Sequence, residues 1–262
     1  MTVFIVVPLG LIFSFAIQGG TENFTRFFEA SYEGQPFFER LYMRVLLRSV
    51  WLAAVSAFIC LILGYPAAYI MARHYAHKTF LLFLLLMPMW MNFLLRTYAW
   101  LTILEQNGVL NSGLAVLGAP KIDILYTDAA VILGMVYNFL PFMILPIYSS
   151  LKDMDVSYIE AAQDLGASPL TVFLKIIFPL SAPGVISGIT MVFMPGVTTF
   201  VISRLLGGGQ FILIGNLIEQ QFLTVNDWGF GSAISFILII IIICFMGITR
   251  LIDKGEHRRA QN

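Results

Sequence analysis

The sequence predicts an all-α polytopic membrane protein with six transmembrane helices. Three observations point there. Of 262 residues, 59% are hydrophobic and only 11% are charged, whereas soluble domains carry about 25% charged residues. Mean hydropathy is +0.86. Six stretches are apolar over about the 20 residues a helix needs to cross a hydrocarbon layer. They run over residues 2–18, 48–71, 79–104, 129–151, 181–205 and 231–251. The zero formal net charge gives no signature of nucleic-acid binding.

The first stretch begins MTVFIVVPLG, without a basic leading region or a small-residue cleavage site. It reads as a first transmembrane helix and not as a signal peptide. Residues 19–47 mix acids (Glu22, Glu29, Glu33, Glu39) with Arg26, Arg40 and Arg44. A short basic loop, ARHYAHK at 72–78, joins the second and third spans. Residues 105–128 and 206–230 are polar and glycine-rich, and the tail RLIDKGEHRRAQN is basic. Pro8, Pro66, Pro88, Pro141, Pro146 and Pro195 fall inside spans. Each removes a backbone donor, and the freed carbonyls need partners within the protein. Packing kinks and gating hinges are both open readings of these prolines. Cys60 and Cys244 lie in apolar runs and read as small hydrophobes. His74, His77 and His257 have no metal-ligand spacing, so no metal site is expected.

Sidedness follows from Lys and Arg near span ends. Six spans place the amino terminus, the 72–78 loop, residues 152–180 and the tail on one side. That side carries eight basic residues: Arg73, Lys78, Lys152, Lys175, Arg250, Lys254, Arg258 and Arg259. The other side carries six: Arg26, Arg40, Arg44, Arg48, Lys121 and Arg204. Both termini and the 152–180 segment are therefore expected in the cytoplasm.

That segment is the polar exception in an apolar chain. Ser157 and Glu160 match a capping box, with Asp153 and Asp155 adding negative charge at a helix start. Val156, Ile159, Ala162 and Leu165 recur at helical spacing. Gly166 suits a helix stop, and Ser168 with Pro169 suits a new start. Pro179 and Pro183 are expected to break the chain again before the fifth span. The pattern is helix, turn, helix. The first helix has about 10 residues and is marginal alone. It reads as a cytoplasmic docking element or as a surface helix resting on lipid headgroups.

These residues resemble the EAA loop of bacterial ABC-importer permeases. That pattern is EAA, three residues, Gly, nine residues, then Ile-x-Leu-Pro. The chain has Glu160-Ala161-Ala162, Gly166 and Ile176-Ile177-Phe178-Pro179, departing only at Phe178. The resemblance continues through LGYPAAYIMAR, LLLMPMWMNFLLRTYAW, LGMVYNFLPFMILPIYSSL, LIGNLIEQQFL and NDWGFGSA. These are similar to the B-type permease subunit of spermidine/putrescine importers. The resemblance implies a type I ABC-importer permease fold. It implies one permease domain over 1–262, with a core of five helices over 48–251 and the EAA coupling loop at 152–180. It assigns Ile159, Glu160, Ala161, Ala162, Leu165 and Gly166 to contact with an ATPase. It implies four kinds of partner: a second, C-type permease, two copies of a cytoplasmic ATPase, an extracytoplasmic binding protein, and membrane lipid. The expected location is the bacterial inner membrane. Another small solute, or a stand-alone secondary transporter, is the alternative.

The chain contains no G-x-x-x-x-G-K-[ST] motif, and Gly207-Gly208-Gly209 runs into Gln210-Phe211. It is expected to be a transporter subunit and not an enzyme. No cofactor is expected on it, and ATP with Mg belongs to the partner ATPase. A protonated amine needs carboxylates and aromatic faces. Acids on the external side are Glu105, Asp128, Glu219 and Asp227, and nearby aromatics include Trp90, Tyr98, Trp100, Tyr137 and Trp228. Each acid reads either as a substrate contact or as a solvated loop charge, and each aromatic as a path residue or an interfacial anchor. Asn92 and Asn138 line a path or bond across helices. Arg96, within the third span, either pairs with a carboxylate of the second permease or lies shallow and reaches outward.

Overall fold

A computed structural model describes residues 2–18, 21–29, 41–73, 78–210 and 212–259. Among these residues every regular element is helical. The order is α1 (Thr2–Ile17), α2 (Glu22–Glu29), α3 (Leu41–Arg73), α4 (Lys78–Leu86), α5 (Phe93–Leu104), α6 (Val109–Val116) and α7 (Asp128–Lys152). There follow α8 (Ser157–Asp164), α9 (Pro169–Val172), α10 (Phe178–Thr198), α11 (Val201–Leu206), α12 (Ile214–Gln220) and α13 (Trp228–Arg259). The 72–78 loop falls largely on residues outside those described, as do the side chains of Lys254, His257, Arg258 and Arg259.

Four helices are long and apolar enough to cross a membrane: Leu41–Arg73, Asp128–Lys152, Pro169–Thr198 and Trp228–Leu251. A fifth exists if Phe80–Trp90 and Phe93–Val116 are counted as one broken span. The described residues thus give four or five spans against the six expected. The first apolar helix, Val6–Ile17, falls short of that length.

Three expectations are corrected. The third span is not one continuous helix. A 3-10 turn at Met87–Trp90, with Pro88 at its start, ends α4, and the chain bends by 90° before α5. The fifth span begins at Pro169 and not at 181. Pro179 and Pro183 do not break it, because a π turn at Phe173–Ile177 precedes them. There the Phe178 N–H donates to the Phe173 carbonyl, five residues back. The widened turn makes room for a proline ring that would otherwise crowd the preceding turn. The same span stops at Thr198 and not at 205, with Phe200 capping the separate α11.

The chain forms two compact units, each drawn from separated stretches. Unit 1 comprises Met1–Ala53, Thr97–Gly134 and Val197–Phe245. Phe27, Leu52, Ile202, Leu206, Leu213, Ile214, Phe230 and Ile234 are fully buried in it. Tyr42 stacks on Phe27 at 5.9 Å and tilts onto Phe230 at 5.1 Å. Unit 2 comprises Ala54–Arg96, Met135–Gly196 and Met246–Asn262. Met135, Met143, Ile147 and Leu151 form its fully buried centre, and Tyr65 shares a 2.8 Å hydrogen bond with Ser181.

Small residues set the spacing in unit 2. A Cβ on Gly184 would lie 2.7 Å from the Pro146 carbonyl and 2.7 Å from Ser150 Cβ. One on Gly188 would lie 2.8 Å from Met143 Sδ. Helices in lipid gain little from the hydrophobic effect against each other, so such close backbone approach supplies their packing energy. Gly184→Val is expected to destabilise the protein by about 1–3 kcal/mol, the usual cost of overpacking. It should lower the melting temperature in a detergent thermal-shift assay. Gly247→Ala faces open space and should leave that temperature unchanged.

Candidate functional site

The connector from α7 to α10 carries the residues expected to meet a partner. Met154 is buried and anchors its start. The expected capping box is not formed: Val156 occupies the cap position and Ser157 is already helical. Asp155 does the work instead, its Oδ1 accepting from the Ser157 N–H at 2.9 Å. That N–H holds the Asp155 carboxyl below its ordinary value. Its shorter side chain reaches the first free N–H without the reciprocal bond a glutamate would add.

The far end of α8 closes as the sequence suggests. Gly166 has φ +79°, in the left-handed region. Its N–H donates to Gln163 O at 2.9 Å, and Ala167 N–H to Ala162 O at 3.0 Å. This pair of bonds is a Schellman stop. Ser168 then caps the next helix, its Oγ accepting from Thr171 N–H, with Pro169 at the first helical position.

Exposure divides the expected apolar stripe. Ile159 and Ala162 are half-buried, while Val156 and Leu165 face outward. No residue of α8 is buried. Leu165 is 89% exposed, and Tyr158, Leu170 and Leu174 are also open. Glu160, Ala161 and Gly166 lie on the exposed surface with them. Apolar side chains this open suit contact with a partner or with lipid headgroups.

The acids expected on the external side have mostly found arginines. Asp128 pairs with Arg48 at 2.7 Å and Asp227 with Arg26 at 2.7 Å. Glu219 receives both Nη atoms of Arg204, Nη1 to Oε1 at 2.9 Å and Nη2 to Oε2. Asp227 also caps α13, its Oδ1 accepting from Phe230 N–H at 3.0 Å. Glu105 is exposed and lines a cavity of about 420 Å³ with Gln106, Asp123 and Tyr126.

The remaining candidates are dispersed. In unit 1, Tyr98 is exposed and Trp100 half-buried, while Trp228 meets Phe222 edge-on at 5.4 Å. In unit 2, Tyr137 is exposed, Asn138 is buried, and Trp90 meets Phe83 edge-on at 5.8 Å. Asn92 starts α5, its Oδ1 accepting from Leu94 N–H at 2.8 Å. Arg96 is only 8% exposed, and its Nε is buried without a hydrogen bond among the described residues. The pairing of the acids with Arg26, Arg48 and Arg204 was not legible in the sequence. Arg26–Asp227 and Arg48–Asp128 stand 201 and 80 residues apart and Arg204–Glu219 15, and no periodicity links them.

Apolar spanning helices joined by a capped, exposed connector define a polytopic membrane protein. The chain belongs to the binding-protein-dependent transport system inner membrane component family, which matches residues 60–258. It is thus a multi-pass inner-membrane transport subunit and not an enzyme in itself. It is 44% identical over 222 residues to the spermidine/putrescine transport system permease protein PotB of Escherichia coli (strain K12), covering 82% of this chain and 80% of that protein. It is 38% identical over 264 residues to PotB of Haemophilus influenzae, covering 98% of this chain and 92% of that protein. Its fold is similar to a chain of a bacterial alginate ABC transporter solved with an alginate pentasaccharide-bound periplasmic protein. That match has a TM-score of 0.78 at 14% identity, covering 95% of this chain and 88% of that one.

Gly166 has open space around it, so Gly166→Ala would change only backbone preference. The left-handed conformation costs an alanine about 1–2 kcal/mol. Hydrogen–deuterium exchange is expected to rise over 157–168 and to stay unchanged in α7.

Proposed function

We propose that this chain forms one half of the membrane path of an ATP-driven, binding-protein-dependent polyamine importer. Its partners in this reading are a second, C-type permease, two copies of a cytoplasmic ATPase, and an extracytoplasmic binding protein. Both termini and the α8 connector lie in the cytoplasm. ATP with Mg is bound by the ATPase, and this chain needs no cofactor of its own.

The observation that carries the reading is the exposed connector, with Leu165 89% open beside a capped turn. Ile159, Glu160, Ala161, Ala162, Leu165 and Gly166 make the ATPase contact. A helix held at both ends can pass a push to the helices on either side of it, whereas a frayed loop cannot. The substrate assignment is supported by similarity to spermidine/putrescine permeases across most of the chain. Tyr98, Trp100, Asn92, Tyr137, Asn138, Glu219, Asp227 and Trp228 are the path candidates. Asp227 and Asn92 already cap helices, so in this reading they shape the path more than they bind the substrate.

The assembled complex, reconstituted in liposomes, is expected to take up labelled spermidine or putrescine, and not thiosulfate or an amino acid. Its ATPase should rise with substrate-loaded binding protein. Ala162→Trp and Gly166→Pro should insert normally and lose coupled uptake by about tenfold or more, the effect of losing roughly 1.4 kcal/mol of docking energy. Undiminished uptake in both variants would sink the docking role. Preference for an anion would sink the substrate assignment.

A further inference from the structure

We propose that Glu219 is a subsite for one ammonium group of the transported amine, and that Arg204 is its built-in competitor. The guanidinium holds the carboxylate until a substrate cation displaces it. The proposal rests on the polyamine reading above and names a site within it.

The two side chains are unequally placed. Glu219 is 16% exposed and Arg204 57% exposed. The carboxylate is the sheltered member and the guanidinium the exposed one; Arg204 lines a separate cavity with Asn216 and Gln220. A half-exposed cation is held weakly because solvent screens the pair. A substrate cation neutralises the carboxylate in its place while the guanidinium, already half exposed, turns to solvent. Leaving the carboxylate sheltered and bare would be costly. The pair therefore keeps the site neutral when no substrate is present.

A cavity of about 370 Å³ opens beside Glu219. Phe200, Ile218, Leu238, Ile239 and Ile242 form its apolar wall. Its volume falls in the range of about 300–1,000 Å³ usual for small-ligand sites. Among its lining residues Glu219 alone is charged. One sheltered carboxylate, one aromatic face and aliphatic walls match an alkylammonium: the head bonds the carboxylate and the methylene stem lies on the apolar side. An anion would face a carboxylate there. A neutral solute would have no means of displacing Arg204.

The pair is not what joins α11 to α12. Asn216 does that: its Nδ2 donates to Phe200 O at 2.9 Å, and its Oδ1 accepts from Ser203 Oγ at 2.6 Å and Leu213 N–H at 3.2 Å. Gly215 adds a close approach, since a Cβ there would collide with the Thr198 carbonyl. Two helices braced this way do not need Arg204 to stay together.

The test is equilibrium binding of labelled spermidine to the full permease–ATPase complex in lipid nanodiscs, without the binding protein. Arg204→Ala should bind roughly two- to fivefold more tightly than the unaltered complex, the gain from removing a half-exposed ion pair. Glu219→Gln should bind about tenfold or more weakly, the loss of a charge-assisted bond. Glu219→Asp should retain binding, which separates lost charge from failed folding should Glu219→Gln assemble poorly. If Arg204→Ala and Glu219→Gln weaken binding alike, the pair is a structural brace and the proposal is overturned. If neither changes binding, Glu219 is not the subsite. If the unaltered complex takes up no polyamine, the functional reading itself falls, and that result precedes any variant.

Discussion

Every backbone polar group within a bilayer must find its partner inside the protein, because no water is there to supply one. This chain interrupts its helices often, so it must close each break with a side chain or a changed helical register. At the α4–α5 break, Asn92 supplies the acceptor for Leu94 N–H. Before Pro179, a π turn carries the ladder past a residue with no donor. At the α10–α11 break, Asn216 bonds the Phe200 carbonyl. Ser49 Oγ accepts from Ile214 N–H where α12 starts. Before α13, Asn226 adopts a left-handed φ of +57°, and Asp227 caps the helix that follows.

That constraint reassigns much of the polar content. Asn92 and Asp227, chosen from sequence as path candidates, are already engaged with backbone donors at helix starts. Asp128 and Asp227 are engaged by arginines as well. In an apolar chain a polar side chain is costly, and its first use is to repair the backbone it sits in. What is left for a substrate is small. Glu219 is held by an arginine too, but it caps nothing and borders an apolar cavity.

Legibility in the sequence tracked how local each determinant is. The helical class, the long apolar spans over 48–71, 129–151 and 231–251, and the Gly166–Ser168–Pro169 turn depend on neighbours a few residues away, and the structure carries them. The start of α8 is less legible, because Ser157 and Asp155, two residues apart, both offer an oxygen and only geometry decides which reaches the free N–H. The fate of the prolines was less legible. Pro88 stands at a true break while Pro179, Pro183 and Pro195 sit inside a helix. The difference lies in whether a π turn or a neighbouring helix absorbs the missing donor, and proline itself carries no mark of that. The arginine–carboxylate pairs were least legible, since their partners meet only through the tertiary fold.

The connector applies the same rule between the long helices. An eight-residue helix is too short to be stable by its own hydrogen bonds. Its form is set by its ends: Asp155 at the start, the Schellman stop at Gly166, and the Ser168 cap beyond. It therefore keeps a defined shape while burying none of its own residues. Leu165 and its apolar neighbours remain available because folding of this chain did not need them. Ordering a surface before a partner arrives lowers the entropy cost of docking. Low burial also leaves the helix few contacts to break if it shifts. An element that is rigid within itself and lightly held by its own chain is suited to follow whatever binds it. The π turn that begins at Phe173 lies next in the chain, where that displacement would enter the long span.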